Sequence, residues 1–342
     1  MTQKKQHSAI ILGSLIHAHY WFTQQLPLEG EHLSAHDYQH EIGGKGLNVS
    51  IALKRLGIDN FPIIACGQDL SAQQCKELLM QEGICTDYFQ YFPGQPSGSG
   101  VAIIDQHGRN VLAIHLASNL LLEAEYIQKN WQQLSQSRLI YAQFETSLDA
   151  IAQAFQLAKQ HNITTVLNPS PWREIPNNIK TTTEVLILNQ SEAEQLFGLK
   201  SLERNQDLKS VLTDLIFQNL TAFLDTWQSL ELLVITLSEY GCFAFDFDAL
   251  IKKEITVYWL DAPPISALDT TGCGDAFASM LCEGLIQRRS LAENLTRATQ
   301  LAGYIAQYQG ILLNLLTLDQ FEAYVAECTL PHLQSFTLVF KA

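Results

Sequence analysis

The segment ALDTTGCGDAFASML, residues 267–281, carries residue types that could bind a phosphate and activate a hydroxyl group. Gly272 and Gly274 flank Cys273, and apolar residues at helical spacing follow. A glycine-rich turn entering a helix points backbone amides at one place and adds the positive end of the helix dipole, which suits an anion. Asp275 could accept a proton from an attacking hydroxyl beside that anion, or it could only cap the helix.

A second glycine cluster lies in EIGGKGLNVSIALKRLG, residues 41–57. Gly43 and Gly44 precede a predicted helix, and Asn48 lies at its start. The segment is not a Walker A loop, because its glycines lack the required spacing to Gly-Lys-Ser/Thr. It offers a flat backbone surface that could lie against a polyhydroxy ligand, while Lys45 could contact that ligand or be structural.

Short apolar runs alternate with helix-like stretches along the chain, which indicates βαβ units and a mostly parallel sheet. Residues 98–116 interrupt this rhythm and read as two strands around the turn at residues 105–108. The predicted parallel strands are AIIL (9–12), FPIIAC (61–66), LIYAQF (139–144), TTVLN (164–168), EVLILN (184–189) and LLVITL (232–237).

Composition narrows the function classes. The 342 residues are 47% hydrophobic and 16% charged, so the chain can bury a large core. A net charge of −14 disfavours nucleic acid and anionic membranes as partners and favours a small-molecule substrate. No apolar run has the length of a signal-peptide core or a membrane helix, which predicts a cytoplasmic protein. The seven cysteines include no CxxC pair, so we expect reduced thiols.

Several ordered motifs together resemble the ribokinase-like (PfkB) family of carbohydrate kinases. The resemblance implies a three-layer αβα core with a mostly parallel central sheet and a small β-sheet lid. It further implies one domain over residues 1–342, lid segments at about 16–42 and 89–118, and an insertion at about 203–230. The motifs are LGS (12–14), GGKGLN (43–48), GVAIIDQHGRNVLAIH (100–115), QFET (143–146), LNPSP (167–171), LNQSEAE (188–194), VITLSEYG (234–241) and DTTGCGD (269–275).

The resemblance implies ATP-dependent phosphorylation of a primary hydroxyl of a sugar or a sugar-like molecule, with Mg²⁺ as cofactor. It assigns Asp275 as the base and the amides of Gly272, Cys273 and Gly274 as the anion hole. The implied sugar-binding residues are Gly43, Gly44, Asn48 and Glu145. The implied ATP-binding residues are Asn189, Thr236, Ser238 and Gly241, with Glu192 at Mg²⁺ and Asp269 and Thr271 at a K⁺ site.

Some of these assignments have simpler alternatives. Asn189 could be a strand-end cap and Glu192 an exposed helical carboxylate. Ser238 replaces a glycine usual in the family's nucleotide turn, which should alter that loop. A homodimer through the lid is also implied.

The resemblance fails after the first strand, where two polar positions of the family pattern are apolar in this chain. The family pattern after the first strand is Gly-Ser-x-Asn-x-Asp, whose aspartate accepts hydrogen bonds from the substrate, but this chain has Ile16 and Ala18. His17 and His19 share a face if the segment is extended, and Ala18 then lies on the other face. The histidines could bind a hydroxyl, hold a metal with His32, His36 and His40, or be partly exposed lid residues. The loss leaves a nucleoside kinase or a non-catalytic metabolite-binding descendant as alternatives.

Overall fold

The computed structural model describes residues 7–198, 223–247 and 254–339. The predicted insertion therefore lies largely outside the described residues, which resume at residue 223. Within the described ranges, no helix combines the length and apolar character that a membrane span requires. All seven cysteines are free thiols.

The larger of two sheets has ten strands in the order β14-β13-β12-β11-β10-β9-β8-β1-β4-β5. The seven strands from β11 to β5 are parallel, and β12, β13 and β14 extend one edge antiparallel. All six predicted parallel strands are confirmed, since continuous apolar runs suit strands covered on both faces. The strands are β1 (Ser8–Leu12), β4 (Asp59–Cys66), β5 (Phe89–Tyr91), β8 (Leu139–Gln143), β9 (Thr164–Asn168), β10 (Val185–Asn189), β11 (Leu232–Thr236), β12 (Cys242–Asp246), β13 (Glu254–Leu260) and β14 (Leu333–Val339).

Helices cover both faces of this sheet. Alternate residues of β1 enter two separate apolar cores, Ile11 on one side of the sheet and Ile10 on the other. This arrangement gives three layers, αβα, and confirms the predicted fold class. The helices are α1 (Lys45–Arg55), α2 (Leu70–Gln81), α3 (Ala124–Leu134), α4 (Leu148–Gln160), α5 (Asn177–Lys180), α6 (Gln190–Phe197), α7 (Cys273–Gln287), α8 (Leu291–Ile305) and α9 (Leu318–Glu327).

The second sheet has four strands in the order β3-β2-β6-β7. Its outer pairs are antiparallel, while β2 and β6 run parallel. The hairpin predicted within residues 98–116 is confirmed as β6 and β7. The strands are β2 (Ile16–Phe22), β3 (Asp37–Gly43), β6 (Gly98–Ile104) and β7 (Asn110–His115).

Candidate active site

The candidate residues gather at the carboxyl ends of the parallel strands. Glu145 lies two residues after β8, while Asn189 and Thr236 are the last residues of β10 and β11. Ser14 lies two residues after β1. Ligands of parallel α/β sheets bind at this edge, because the loops that follow the strands meet there.

Asp275 lies in the first turn of α7 and is only 5% exposed. Its Oδ2 accepts a hydrogen bond of 2.8 Å from Asn48 Nδ2. Burial raises the pKa of Asp275, while the positive charge of Lys45 and the Asn48 hydrogen bond oppose that rise. The helix cap is Gly272, so Asp275 is free of the capping role that its sequence position also allowed.

The turn before α7 presents backbone amides. Gly272 has a φ of 79° and no side-chain cap, and the amides of Gly274 and Asp275 lie in the first turn, where helices leave such groups without an internal acceptor. Open space surrounds Gly274 where a Cβ would stand. Burial raises the pKa of the Cys273 thiol to about 12, and the Cys273 amide donates to the Thr270 carbonyl oxygen at 3.3 Å.

The glycine cluster brings α1 against the end of β1. A Cβ on Gly44, whose φ is 125°, would overlap Ser14, and a Cβ on Gly46 would overlap Gly13. This close approach puts Lys45 at the start of α1, where the charge of Asp275 is the main cause of the raised pKa of Lys45. Sequence reasoning left Lys45 unassigned, although the glycines around it were the available signal.

Glu145 is 4% exposed and holds two loops together. Its Oε2 accepts hydrogen bonds from Ser14 Oγ at 2.6 Å and from the Lys45 backbone amide at 2.9 Å. Burial raises the pKa of Glu145, and the charge of Lys45 and these hydrogen bonds oppose the rise. The carboxylate therefore fixes the floor between β1 and α1, beside Gly43 and Gly44.

Asn189 and Glu192 form a capping box at the start of α6. Asn189 Oδ1 accepts from the Glu192 amide, and Glu192 Oε2 accepts from the Asn189 amide, both at 2.9 Å. Asn189 is therefore the N-cap of α6, as the strand-end alternative predicted. Glu192 is 3% exposed rather than a surface carboxylate, and its charge contributes to raising the pKa of Lys45.

The turn between β11 and β12 contains the other predicted nucleotide residues. Thr236 pairs with Asn189 in the register of β10 and β11. Ser238 has a φ of 51°, the left-handed region that glycine adopts most readily. Gly241 has a φ of 94°, and a Cβ there would overlap the Leu260 carbonyl oxygen.

Asp269 organises the loop that precedes α7. Its Oδ1 accepts from the Thr271 amide at 2.9 Å, and its Oδ2 accepts from the Gly310 amide at 3.4 Å. Thr271 is exposed. The two residues predicted at a K⁺ site are therefore adjacent and joined by a hydrogen bond.

The histidines lie on one face of β2. The rings of His17 and His19 stack with centroids 4.4 Å apart, and His17 Nε2 lies 3.1 Å from His40 Nδ1. Burial and the charges of His19 and His40 lower the pKa of His17. Across the described ranges, no group of three or more His, Cys, Asp or Glu side chains is placed to hold a metal ion.

The other face of β2 carries Ala18 and Tyr20. Ala18 pairs with Glu41 of β3, and the Tyr20 hydroxyl donates to Glu41 Oε1 at 2.8 Å. Burial and the charges of Glu41 and Asp269 raise the pKa of Tyr20 above its usual range, so this face lies within electrostatic reach of the loop before α7. Sequence reasoning missed Tyr20 and Glu41; alternation along β2 could have found Tyr20, whereas Glu41 needs the strand register.

Three similarities place these residues among known proteins. Residues 6–317 match the family model for pfkB family carbohydrate kinase. A ribokinase from Mus musculus is 26% identical over 311 residues, covering 90% of this chain and 91% of that protein. A deoxyribokinase from Salmonella typhi is 25% identical over 306 residues, covering 89% and 94%.

The fold agrees with this relationship. The structure of Arabidopsis thaliana ribokinase complexed with ribose and ATP aligns with a TM-score of 0.80 at 20% identity, covering 92% of this chain and 97% of that one. Because the family model spans most of the sequence, the chain belongs to the pfkB family of carbohydrate kinases.

Proposed function

We propose that this protein transfers the γ-phosphoryl group of ATP to a primary hydroxyl of a sugar or a sugar-like small molecule. The observation that carries the proposal is the buried Asp275 carboxylate, which accepts from Asn48 and lies beside the free amides at the start of α7. The ribokinase and deoxyribokinase relatives support a pentose as the first acceptor to test.

Asp275 acts as the general base. Burial raises its pKa toward the range useful for a base, and the charge of Lys45 and the hydrogen bond from Asn48 limit that rise. The acceptor O–H bond breaks as its proton moves to Asp275, and the acceptor oxygen bonds to the γ-phosphorus. The phosphorus–oxygen bond to ADP breaks with its electron pair staying on ADP.

The amides of Gly272, Cys273 and Gly274 stabilise the negative charge of the transferring group. Backbone donors suit this role because they are already oriented before the reaction begins. The open space at Gly274 leaves room for phosphate oxygens to approach.

ATP lies over the ends of β10 and β11, against Asn189, Thr236, Ser238 and Gly241. Magnesium prefers a few carboxylate oxygens together with substrate phosphates and water, and Glu192 fits because hydrogen bonding to the Asn189 amide engages only its Oε2. Bound Mg²⁺ neutralises phosphate charge. Asp269 and Thr271 are candidates for the K⁺ site, which a comparison of KCl with tetramethylammonium chloride tests.

The acceptor lies on Gly43 and Gly44, between Asn48 and Glu145. Asn48 Oδ1 is buried and has no hydrogen-bond partner among the described residues, so it is available to an acceptor hydroxyl. An unpaired buried oxygen costs about 1–3 kcal/mol, which a ligand hydroxyl would recover.

The second sheet acts as a lid whose closure excludes water and limits ATP hydrolysis. We place a homodimer contact on the same sheet. Val111, Leu112 and Ile114 of β7 are each more than half exposed, which supports a partner surface there.

The test is an ATP-consumption assay with D-ribose, 2-deoxy-D-ribose, D-fructose and inosine, with Asp275→Asn as the inactive control. We expect acceptor-dependent ADP formation and a phosphorylated product with at least one sugar. Preference for inosine would instead indicate a nucleoside kinase. Binding of ATP and a sugar by calorimetry without turnover would support the non-catalytic alternative and overturn the proposal.

A further inference from the structure

On the lid face that carries Ala18, the family's aspartate is absent, but a different acidic residue, Glu41, lies directly opposite on the neighbouring strand. Ala18 and Glu41 are partners in the antiparallel register of β2 and β3. Side chains opposite each other in such a pair leave the same face, with Cβ atoms about 4.5–5.5 Å apart. Glu41 is therefore on the face from which an acid at position 18 would project, and its two methylene groups let the carboxylate reach over the alanine methyl.

This face is continuous with the acceptor floor. Glu41 and Gly43 lie two residues apart on β3 and so share a face of the lid. Gly43 packs toward Asn48, whose Oδ1 would lie 3.6 Å from a Cβ placed on the glycine. The face of β3 that carries Glu41 and Gly43 therefore adjoins Asn48, which donates a hydrogen bond to Asp275.

The Glu41 carboxylate is oriented yet still available. Tyr20 donates to Oε1 at 2.8 Å, and Oε2 has no hydrogen-bond partner within the described part of the chain. Glu41 is partly exposed, and it forms no ion pair with another described residue. One oxygen is thus held by the lid itself while the other can accept a hydrogen bond from a ligand.

We propose that Glu41 replaces the missing acid at Ala18 and grips acceptor hydroxyl groups from the neighbouring strand, oriented by Tyr20. The proposal rests on the proposed function, because it assigns a residue to the same acceptor pocket. The three carboxyl groups of Glu41, Glu145 and Asp275 outnumber the single positive charge of Lys45, so the pocket favours a neutral polyhydroxy acceptor over a phosphorylated or carboxylated one.

The test measures acceptor and ATP KM for Glu41→Gln with the pentose that the wild type phosphorylates best, D-ribose or 2-deoxy-D-ribose. A lost charge-assisted hydrogen bond of about 1.5–3 kcal/mol predicts an acceptor KM about ten- to a hundredfold higher, with ATP KM within about twofold. Glu29→Gln is the matched control, because Glu29 is exposed in the connection between β2 and β3 and the change in charge is identical.

A second variant combines Ala18→Asp with Glu41→Gln, which transfers the carboxylate from β3 to the opposite position on β2. We expect it to recover most of the acceptor affinity. A double variant no better than Glu41→Gln, an unchanged acceptor KM in Glu41→Gln, or an equal rise in Glu29→Gln would each overturn the proposal. Failure of the wild type to phosphorylate either pentose would instead count against a pentose as the acceptor and against this assignment together, while turnover of D-fructose would leave the proposed sugar kinase standing.

Tyr20→Phe is a milder variant, because it removes only the hydroxyl group that donates to Glu41 and so keeps the test usable if Glu41→Gln does not fold. It should raise the acceptor KM less than Glu41→Gln does, because the carboxylate remains but is no longer oriented. An acceptor KM equal to that of the wild type would contradict the orienting role of Tyr20.

Discussion

A hydrogen bond of 2.8 Å joins Asn48 Nδ2 to Asp275 Oδ2, two residues that are 227 positions apart in the chain. It connects the first turns of α1 and α7, the two helices that begin in glycine clusters. The proposed acceptor floor and the proposed general base are thereby held together.

Replacing Asn48 by alanine should change the pH dependence of activity. The Asn48 hydrogen bond lowers the pKa of Asp275 against the effect of burial, so its removal raises that pKa further. The base then becomes protonated at higher pH, and the acidic limb of a kcat/KM profile should move to higher pH. Asn130→Ala, which removes a hydrogen bond to the Tyr126 carbonyl in α3, should leave the limb in place. A limb that stays or moves to lower pH in Asn48→Ala would contradict the link.

Replacing Asp275 by asparagine should lower kcat by about 10²–10⁴ while the dissociation constant for ATP stays within a few-fold. The side chain keeps its size and can still pair with Asn48, but it cannot take a proton. Turnover assays and calorimetry with a non-hydrolysable ATP analogue separate the two effects. Near-normal turnover would refute the role of general base.

Replacing Glu145 by glutamine should stabilise the fold at neutral pH. Burial raises the pKa of Glu145 above the ordinary value of 4.5, so the native state binds its proton more tightly than the unfolded chain does. Its contribution to stability is thus present at low pH and is lost as pH rises through the raised pKa. Glutamine does not titrate and still offers an oxygen to Ser14 and the Lys45 amide.

Thermal unfolding of Glu145→Gln and wild type across pH 4 to 8 checks this expectation. The Tm advantage of the variant should be largest at neutral pH and should shrink on acidification. A variant less stable than wild type at pH 7, with a difference that narrows at low pH, would show that the charged carboxylate is favoured in the fold.

Replacing Ser238 by glycine should stabilise the turn between β11 and β12. Its φ of 51° lies in the region that costs a residue with a Cβ about 1–2 kcal/mol, partly offset by the flexibility glycine adds to the unfolded chain. We expect a gain of about 0.5–1 kcal/mol in the free energy of unfolding by urea. Ser238→Ala keeps the Cβ and should show no such gain; an equal gain would argue against backbone strain.

Local pattern predicted six of the seven parallel strands, because each of those six is a continuous apolar run between polar segments. The seventh, β5, is only three residues long and contains Gln90, so it gave no such signal. Strands β12 and β13 were not predicted, since they extend the sheet antiparallel at one edge and follow no βαβ alternation. The approach of Asn48 to Asp275 follows from tertiary packing of α1 on α7, so no local signal contains it, and only resemblance suggested a common site. Glu41 was not predicted, because only the register of β2 and β3 shows that it lies opposite Ala18.

The strand β14 lies beyond residue 317, where the family match ends. It pairs along the whole of β13, from Glu254 opposite Val339 to Leu260 opposite Leu333. A chain shortened to the family boundary would leave β13 as a bare edge, a template for association with other chains. The C-terminal segment thus moves the open edge of the large sheet from β13 to β14.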